Sequence, residues 1–319
     1  MLKFPGHKGV RSVAFTPDGR VVSGGGDKTV RVWNPLSGEC LAKIRAANVV
    51  YAVVVSPDGR TIAAAGRPVP GSASSFVQTY DFTGKSTGGY EARTYGQGWR
   101  QNPVTAQYET EQQPKGRTIW SLSFSADGQY LAAAVRQPGG GNVPDGGGGF
   151  FWRTDAGSKD QPLAGSDIYA VAFAPVGHRL AVTRMSSVVF LETPTATEGV
   201  THAYSASWSP SVAFIAGTNG AAVASNSFIQ FVNPVRKEKS IRVKTGIRTI
   251  SALVVSPDGK TLLAGGRPGL VEVYDAASRE KKAAFDFGLG AVHALAYAPD
   301  GLTFAAAGDE GLIVCDTGE

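Results

Sequence analysis

Apolar and polar positions alternate in short runs along the whole chain, and turn residues break each run before it reaches helical length. Val10-Arg11-Ser12-Val13-Ala14-Phe15 and Tyr169-Ala170-Val171-Ala172-Phe173 alternate with a period of two, as a half-buried strand does. Each such run meets a turn. A strand of small residues follows, as in Thr61-Ile62-Ala63-Ala64-Ala65 and Leu262-Leu263-Ala264-Gly265. A third strand then ends on an aromatic or apolar residue: Val30-Arg31-Val32-Trp33, Gln78-Thr79-Tyr80, Phe150-Phe151-Trp152, Val188-Val189-Phe190, Ile229-Gln230-Phe231, Val271-Glu272-Val273-Tyr274 and Ile313-Val314-Cys315. A fourth, more polar strand comes after it, as in Leu41-Ala42-Lys43-Ile44.

The turn between the first two strands anchors the repeat. It reads Pro-Asp-Gly at 17–19, 57–59, 257–259 and 299–301. Degenerate copies are Ala126-Asp127-Gly128, Pro175-Val176-Gly177 and Thr218-Asn219-Gly220. The seven anchors are spaced by 40, 69, 49, 43, 39 and 42 residues. Four short strands in each of seven repeats predict an all-β fold: a seven-bladed β-propeller of four-stranded antiparallel blades in one domain, 1–319. The last repeat stops at Asp316-Thr317-Gly318-Glu319, straight after its third strand. Residues 2–4 stand where a fourth strand belongs, so the N-terminal strand is expected to complete the last blade and close the ring, removing its open edge.

The first repeat carries more than a pattern. Gly6-His7, Ser23 and Asp27-Lys28-Thr29-Val30-Arg31-Val32-Trp33-Asn34 resemble one WD repeat, with Asn in place of the final Asp. The resemblance implies that His7, Ser23, Asp27 and Trp33 form the buried hydrogen-bonded tetrad of that family. A buried polar chain is tolerated when every member is satisfied. The other repeats keep pieces only, such as Tyr80-Asp81, Tyr274-Asp275 and Cys315-Asp316. The chain is similar to bacterial WD-repeat propellers, which implies a role in holding a protein or peptide, or other domains of a larger polypeptide.

The two long spacings mark insertions. With about 41 residues as the normal period, the excess is roughly 28 and roughly 8. The larger falls within 84–117, between blades 2 and 3, with a fourth strand placed near Tyr90–Tyr95. The smaller is the glycine-rich run 137–149 in blade 3, and a minor elongation occupies 67–75 in blade 2. Strand order puts all three on one face, where long loops on a rigid scaffold commonly bind. The large insertion carries Trp99, Arg100, Tyr108 and Arg117, types favoured at interface hot spots. The alternative is that these residues pin a tolerated loop to the propeller. Aligned first strands give a second set: Arg11, Tyr51, Trp120, Tyr169, Val212, Ser251 and His293, at the start of the innermost strand. They are expected either to ring the channel mouth as a recognition surface or to pack between blades with polar tips in water. The charged run Arg236-Lys237-Glu238-Lys239, continued by Arg242, Lys244 and Arg248, reads as an edge strand protected against pairing; the alternative is contact with an acidic partner or a phospholipid headgroup.

Composition adds limits. The chain has 31 Lys and Arg against 26 Asp and Glu, a net charge of +5 that permits an acidic partner without demanding one. Two cysteines, Cys40 and Cys315, in different repeats point to a reducing compartment and the cytoplasm. No long apolar run predicts a membrane span. The four histidines show no zinc spacing, and neither a nucleophile elbow nor a nucleic-acid module is present. The expectation is a non-catalytic interaction scaffold without metal or cofactor. The alternative is a propeller enzyme or small-ligand binder that uses the central channel.

Overall fold

Successive side chains of a strand point to opposite faces of its sheet. Strands that are apolar at nearly every position must therefore be covered on both faces. The computed structural model describes all residues but 73, 94, 102–107, 115, 137–147, 156–160, 164–167, 194, 196, 205–210, 318 and 319. It meets the requirement with seven four-stranded antiparallel blades in a ring.

A short β1 (Leu2–Phe4) leads into blade 1, formed by β2 (Val10–Phe15), β3 (Val21–Gly25), β4 (Thr29–Trp33) and β5 (Cys40–Arg45). Blade 2 is β6 (Val50–Val55), β7 (Ile62–Gly66), β8 (Ser74–Tyr80) and β9 (Ser86–Arg93). Then comes a separate antiparallel pair, β10 (Tyr95–Gln101) and β11 (Tyr108–Pro114). Blade 3 is β12 (Thr118–Phe124), β13 (Tyr130–Arg136), β14 (Gly149–Arg153) and β15 (Gln161–Leu163). Blade 4 is β16 (Ala170–Phe173), β17 (Arg179–Thr183), β18 (Ser187–Glu192) and β19 (Thr197–Ala203). Blade 5 is β20 (Val212–Ile215), β21 (Gly220–Ser225), β22 (Phe228–Val232) and β23 (Ile241–Lys244). Blade 6 is β24 (Thr249–Val255), β25 (Thr261–Arg267), β26 (Leu270–Asp275) and β27 (Lys281–Asp286). Blade 7 has β28 (Val292–Tyr297), β29 (Thr303–Gly308) and β30 (Gly311–Asp316) from the chain's end, and β1 as its outer strand.

The ring thus closes on its own N-terminal strand. Leu2 pairs with Val314 and Phe4 with Leu312, antiparallel. Phe4 then meets Trp33 of blade 1 edge-to-face, with ring centroids 5.4 Å apart.

The core is a set of seams between neighbouring blades. On β3, Val21 joins the cluster shared with blade 7, while the next residue, Val22, joins the one shared with blade 2. On β7, Ile62 and Ala64 face blade 1, while Ala63 and Ala65 face blade 3. Alanines at such positions let the sheets approach closely near the centre, and Ala63, Ala132, Ala133, Ala305 and Ala306 are fully buried. The Pro-Asp-Gly turns are fixed by their own carboxylates. Ser56 and Ser256 donate to Asp58 and Asp258, at 2.5 and 2.6 Å, and Thr16 donates to Asp18 in the same way. Hydrogen bonds from Arg20 and Thr16 hold the Asp18 carboxyl down at about 2.

The four residues implied as a tetrad come together in blade 1. Trp33 Nε1 donates to Ser23 Oγ at 2.8 Å, and Ser23 Oγ lies 2.9 Å from His7 Nδ1. His7 Nε2 faces Asp27 Oδ1 at 3.3 Å, outside good hydrogen-bond alignment. Arg31 anchors the other carboxylate oxygen at 2.7 Å. A neutral His7 with its proton on Nε2 fits this chain, since Nδ1 then accepts from the serine. Burial pushes the His7 imidazole down to about 4, and Asp27 only partly offsets it.

Other blades substitute different polar links. The buried Glu272 accepts from the Tyr274 hydroxyl at 2.6 Å and from Gly246 N at 3.1 Å, and pairs with Lys281 at 3.1 Å. Tyr80 donates to Gln78 at 2.6 Å. His202 reaches across a seam to the Asn233 carbonyl at 2.7 Å, and Gln230 returns a bond to the Ala203 carbonyl at 3.0 Å.

Two stability outcomes follow from these contacts. Phe4→Ala should cost about 3–5 kcal/mol in urea unfolding, because it empties the seam that closes the ring; a loss below about 1 kcal/mol would show that closure does not depend on this strand. His7 binds a proton in the unfolded chain at 6.5 but in the folded chain only near 4. Its contribution, at most about 3 kcal/mol, is complete above 6.5 and is lost as pH falls towards 4. His7→Gln should flatten the fall in stability across that window, and an unchanged slope would contradict the assignment.

Candidate functional site

With the inner strands of every blade covered on both faces, side chains are offered at strand ends and along the outer strands. The first strand of each blade starts on one face of the disc, called upper here, and runs to the lower face at its turn. The connections from fourth to first strand and from second to third strand open on the upper face. Inner strands β2, β6, β12, β16, β20, β24 and β28 neighbour one another in that order around the centre.

Pairing between first and second strands slips by one residue at a single place in five blades. The skipped residues are Arg11, Tyr51, Trp120, Ser251 and His293. Each is a β-bulge residue, left out of the ladder so that its side chain is re-aimed. The set aligned from sequence is thus, in these five blades, the set of bulges at the upper end of the inner strands. Tyr169 precedes β16 and donates its N–H to the Thr183 carbonyl at 2.9 Å.

Blade 5 departs from the alignment. Val212 pairs with Val223 and is buried in the seam with blade 4, in the position that Val13 holds in blade 1. The reason lies in the turn: its left-handed glycine is Gly217, not Gly220, so the register is displaced. The bulge-equivalent residue of that blade, 210, lies outside the described residues.

One residue past the bulge, a hydroxyl stitches neighbouring blades. Val53 N donates to Ser12 Oγ at 3.0 Å, Val171 N to Ser121 Oγ at 3.3 Å, and Leu253 N to Ser211 Oγ at 3.2 Å. These bonds hold the inner strands in register, and with them the bulged side chains.

Two clusters form on this rim. Across the seam of blades 2 and 3, the Tyr51 and Trp120 rings meet at 4.4 Å between centroids. Trp120 keeps 36% of its surface exposed, unusual for so large an apolar group. Across the seam of blades 7 and 1, Arg11 Nη1 and Asp309 Oδ1 each lie 2.7 Å from His293 Nε2. One nitrogen serves either the guanidinium or the carboxylate, not both. Burial lowers the His293 pKa below its ordinary value, with Asp309 opposing and Arg11 assisting. Burial also works against ionisation of Asp309, but its bond to His293 prevails and keeps the carboxyl below its usual range.

Outward from Tyr51, a pocket of about 270 Å³ opens at the junction of blades 1 and 2. Asn48, Val49, Gly66, Arg67, Val69 and Phe76 line it. Val69 and Phe76 are 52% and 47% exposed, and Asn48 Nδ2 donates to the Pro68 carbonyl at 2.9 Å across one side.

The insertion occupies less chain than expected. The fourth strand β9 already spans Ser86–Arg93, paired along β8 from Ser74↔Arg93 to Tyr80↔Ser86. Tyr95 opens the extra antiparallel pair. Trp99 and Arg100 fall on β10 and Tyr108 on β11, and their side chains lie outside the described residues. The glycine-rich loop 137–147 also lies outside them. Arg117 differs from the expectation of an accessible contact residue. It is buried, with its N–H and carbonyl both bonded to the Ser75 hydroxyl at 2.9 Å. The end of the insertion is tied to blade 2 here, and Gly116 N donates to the Ser72 carbonyl at 2.8 Å beside the pocket. Arg236–Lys239 precede the outer strand β23 instead of forming it.

Sequence alignment missed Asp309, Arg67, Arg267 and the pocket. Arg267 lies close enough to His293 to lower its pKa. A signal was available: Gly-Arg-Pro occurs at 66–68 and again at 266–268, at the same place in two blades. Among the described residues, no group of three or more His, Cys, Asp or Glu could hold a metal ion, and no helix is long and apolar enough to cross a membrane.

Comparison with known proteins gives one family. Residues 1–34 match the model of the WD domain, G-beta repeat. These residues hold β1, the tetrad and β4. No curated protein matches the chain. The first blade thus carries a repeat similar to the WD type, within a ring of seven four-stranded blades that is a β-propeller.

Proposed function

We propose that this propeller is a non-catalytic docking scaffold that holds a protein or peptide on its upper face, over blades 7, 1, 2 and 3. The observation that carries the reading is the bulged rim. Five blades give up a ladder position at the same height, and four of the residues released are Arg11, Tyr51, Trp120 and His293. An enclosed packing role would bury an aromatic such as Trp120, which stays 36% exposed. Aromatic and arginine side chains are also the types that dominate binding energy at interfaces. The neighbouring pocket and the insertion that returns at Gly116 extend this surface outward over blade 2. Propellers of the WD-repeat family commonly act through such contacts, which adds to the reading without identifying the partner.

Panning a random peptide-display library against the intact protein tests the proposal. Selected peptides should lose about tenfold or more in affinity for Trp120→Ala and for Tyr51→Ala, at unchanged thermal stability. Peptides that bind both variants as tightly as the parent would place any docking site elsewhere.

A further inference from the structure

We infer that the partner segment held on the upper face is acidic and extended, with carboxylates on Arg11, Arg67 and Arg267 and one apolar side chain in the pocket beside Arg67. This rests on the docking face proposed above and gives it a partner chemistry.

The arginines are placed by the fold. Arg67 and Arg267 each follow the second strand of their blade and emerge on the upper face. Their backbones are fixed: Arg67 N donates to the Val49 carbonyl at 3.1 Å, and the Arg267 carbonyl accepts from Arg248 N at 2.9 Å. Their side chains are exposed, as is that of Arg248. Among the described residues, none of the three enters an ion pair. Several arginines elsewhere are satisfied within their own blade, as in Arg20–Asp18, Arg153–Asp155 and Arg179–Glu192. Arg184, at the corresponding strand end of blade 4, pairs with Glu198 at 2.6 Å.

Along the arc of blades 6, 7, 1 and 2, the described carboxylates at the upper strand ends include Asp309, engaged by His293, Asp27, engaged by Arg31, and Glu310, 3.6 Å from Lys8. Arg11 lies 3.7 Å from Asp309 and shares the same imidazole nitrogen. A ligand carboxylate that takes Arg11 competes with Asp309 for the guanidinium and leaves His293 Nε2 to Asp309 alone.

The pocket decides against a purely ionic ligand. At about 270 Å³, it lies just below the range of drug-sized sites, roughly 300–1,000 Å³, and suits a single side chain. Its open edge is apolar, through Val69 and Phe76, with Arg67 on the same lining. A leucine or phenylalanine flanked by glutamates meets both features. A nucleic-acid strand fits less well, because the Tyr51 and Trp120 rings already pack against each other, tilted by 35° with centroids 4.4 Å apart, and offer no slot between them.

The test is fluorescence anisotropy of the intact protein with a dye-labelled peptide of glutamates around one central leucine. Controls are the same peptide with Gln for Glu, the same peptide with Ser for Leu, and a single-stranded oligonucleotide of equal charge. The Glu peptide should bind, and each control should bind about tenfold or more weakly. Arg67→Glu and Arg267→Glu should each weaken the Glu peptide about tenfold, with Arg67→Lys retaining part of the affinity and thermal unfolding unchanged. Binding should also weaken between about 50 mM and about 300 mM salt. Equal binding of Glu and Gln peptides, or no binding of either, overturns the acidic partner. The docking face stands in that case if display-selected peptides still depend on Trp120, and falls if they do not. Tighter binding of the oligonucleotide overturns the inference in favour of a nucleic acid.

Discussion

Burial of both faces of every blade is the constraint on which the rest of this protein depends. A sheet whose second and third strands are apolar at nearly every position has no solvent side. It is stable only between two neighbours, and a ring supplies two neighbours to all seven blades, leaving only short outer edges. The alternation of Val21 and Val22, or of Ala63 and Ala64, between opposite seams shows how each residue is committed to one neighbour. The same commitment removes the sheet faces from function. Chemistry is left to strand ends, and the bulges are how the inner strands bring large polar-tipped residues there without giving up seam positions.

Polar groups inside the seams follow a second rule: most of them are partnered within the fold. Blade 1 uses the chain from Trp33 through Ser23 and His7 to Asp27. Blade 6 closes the Glu272 carboxylate with Tyr274, Lys281 and Gly246 N, and the seam of blades 4 and 5 uses His202 and Gln230. One fold therefore carries one complete family motif and several local replacements. The family model matches the first repeat, residues 1–34.

The architecture was legible in the sequence because its signals are local. Strand alternation, the Pro-Asp-Gly turn and the missing fourth strand of the last repeat each act within a few residues, and together they specify seven blades and the closing strand. The bulged rim proposed as the docking face was legible only in part. Aligned first strands located Arg11, Tyr51, Trp120 and His293, since a bulge keeps its distance from the turn. The same method failed at Val212, where a turn built on Gly217 displaces the register. Arg117 carries the side chain of an interface residue, but its neighbours bury it, and no local pattern reports that. Asp309 and Arg267 belong to the rim because β28, β29 and β25 bring them beside His293, a tertiary fact outside any single repeat.

Hydrogen–deuterium exchange on the intact protein, with and without a display-selected peptide, tests the central claim most directly. The account predicts slower exchange at the upper ends of the inner strands, over 10–13, 50–53, 119–122 and 291–295, and no change at the lower turns 16–20, 56–61 and 256–261. Protection confined to those lower turns, with the inner-strand ends unaffected, would contradict it.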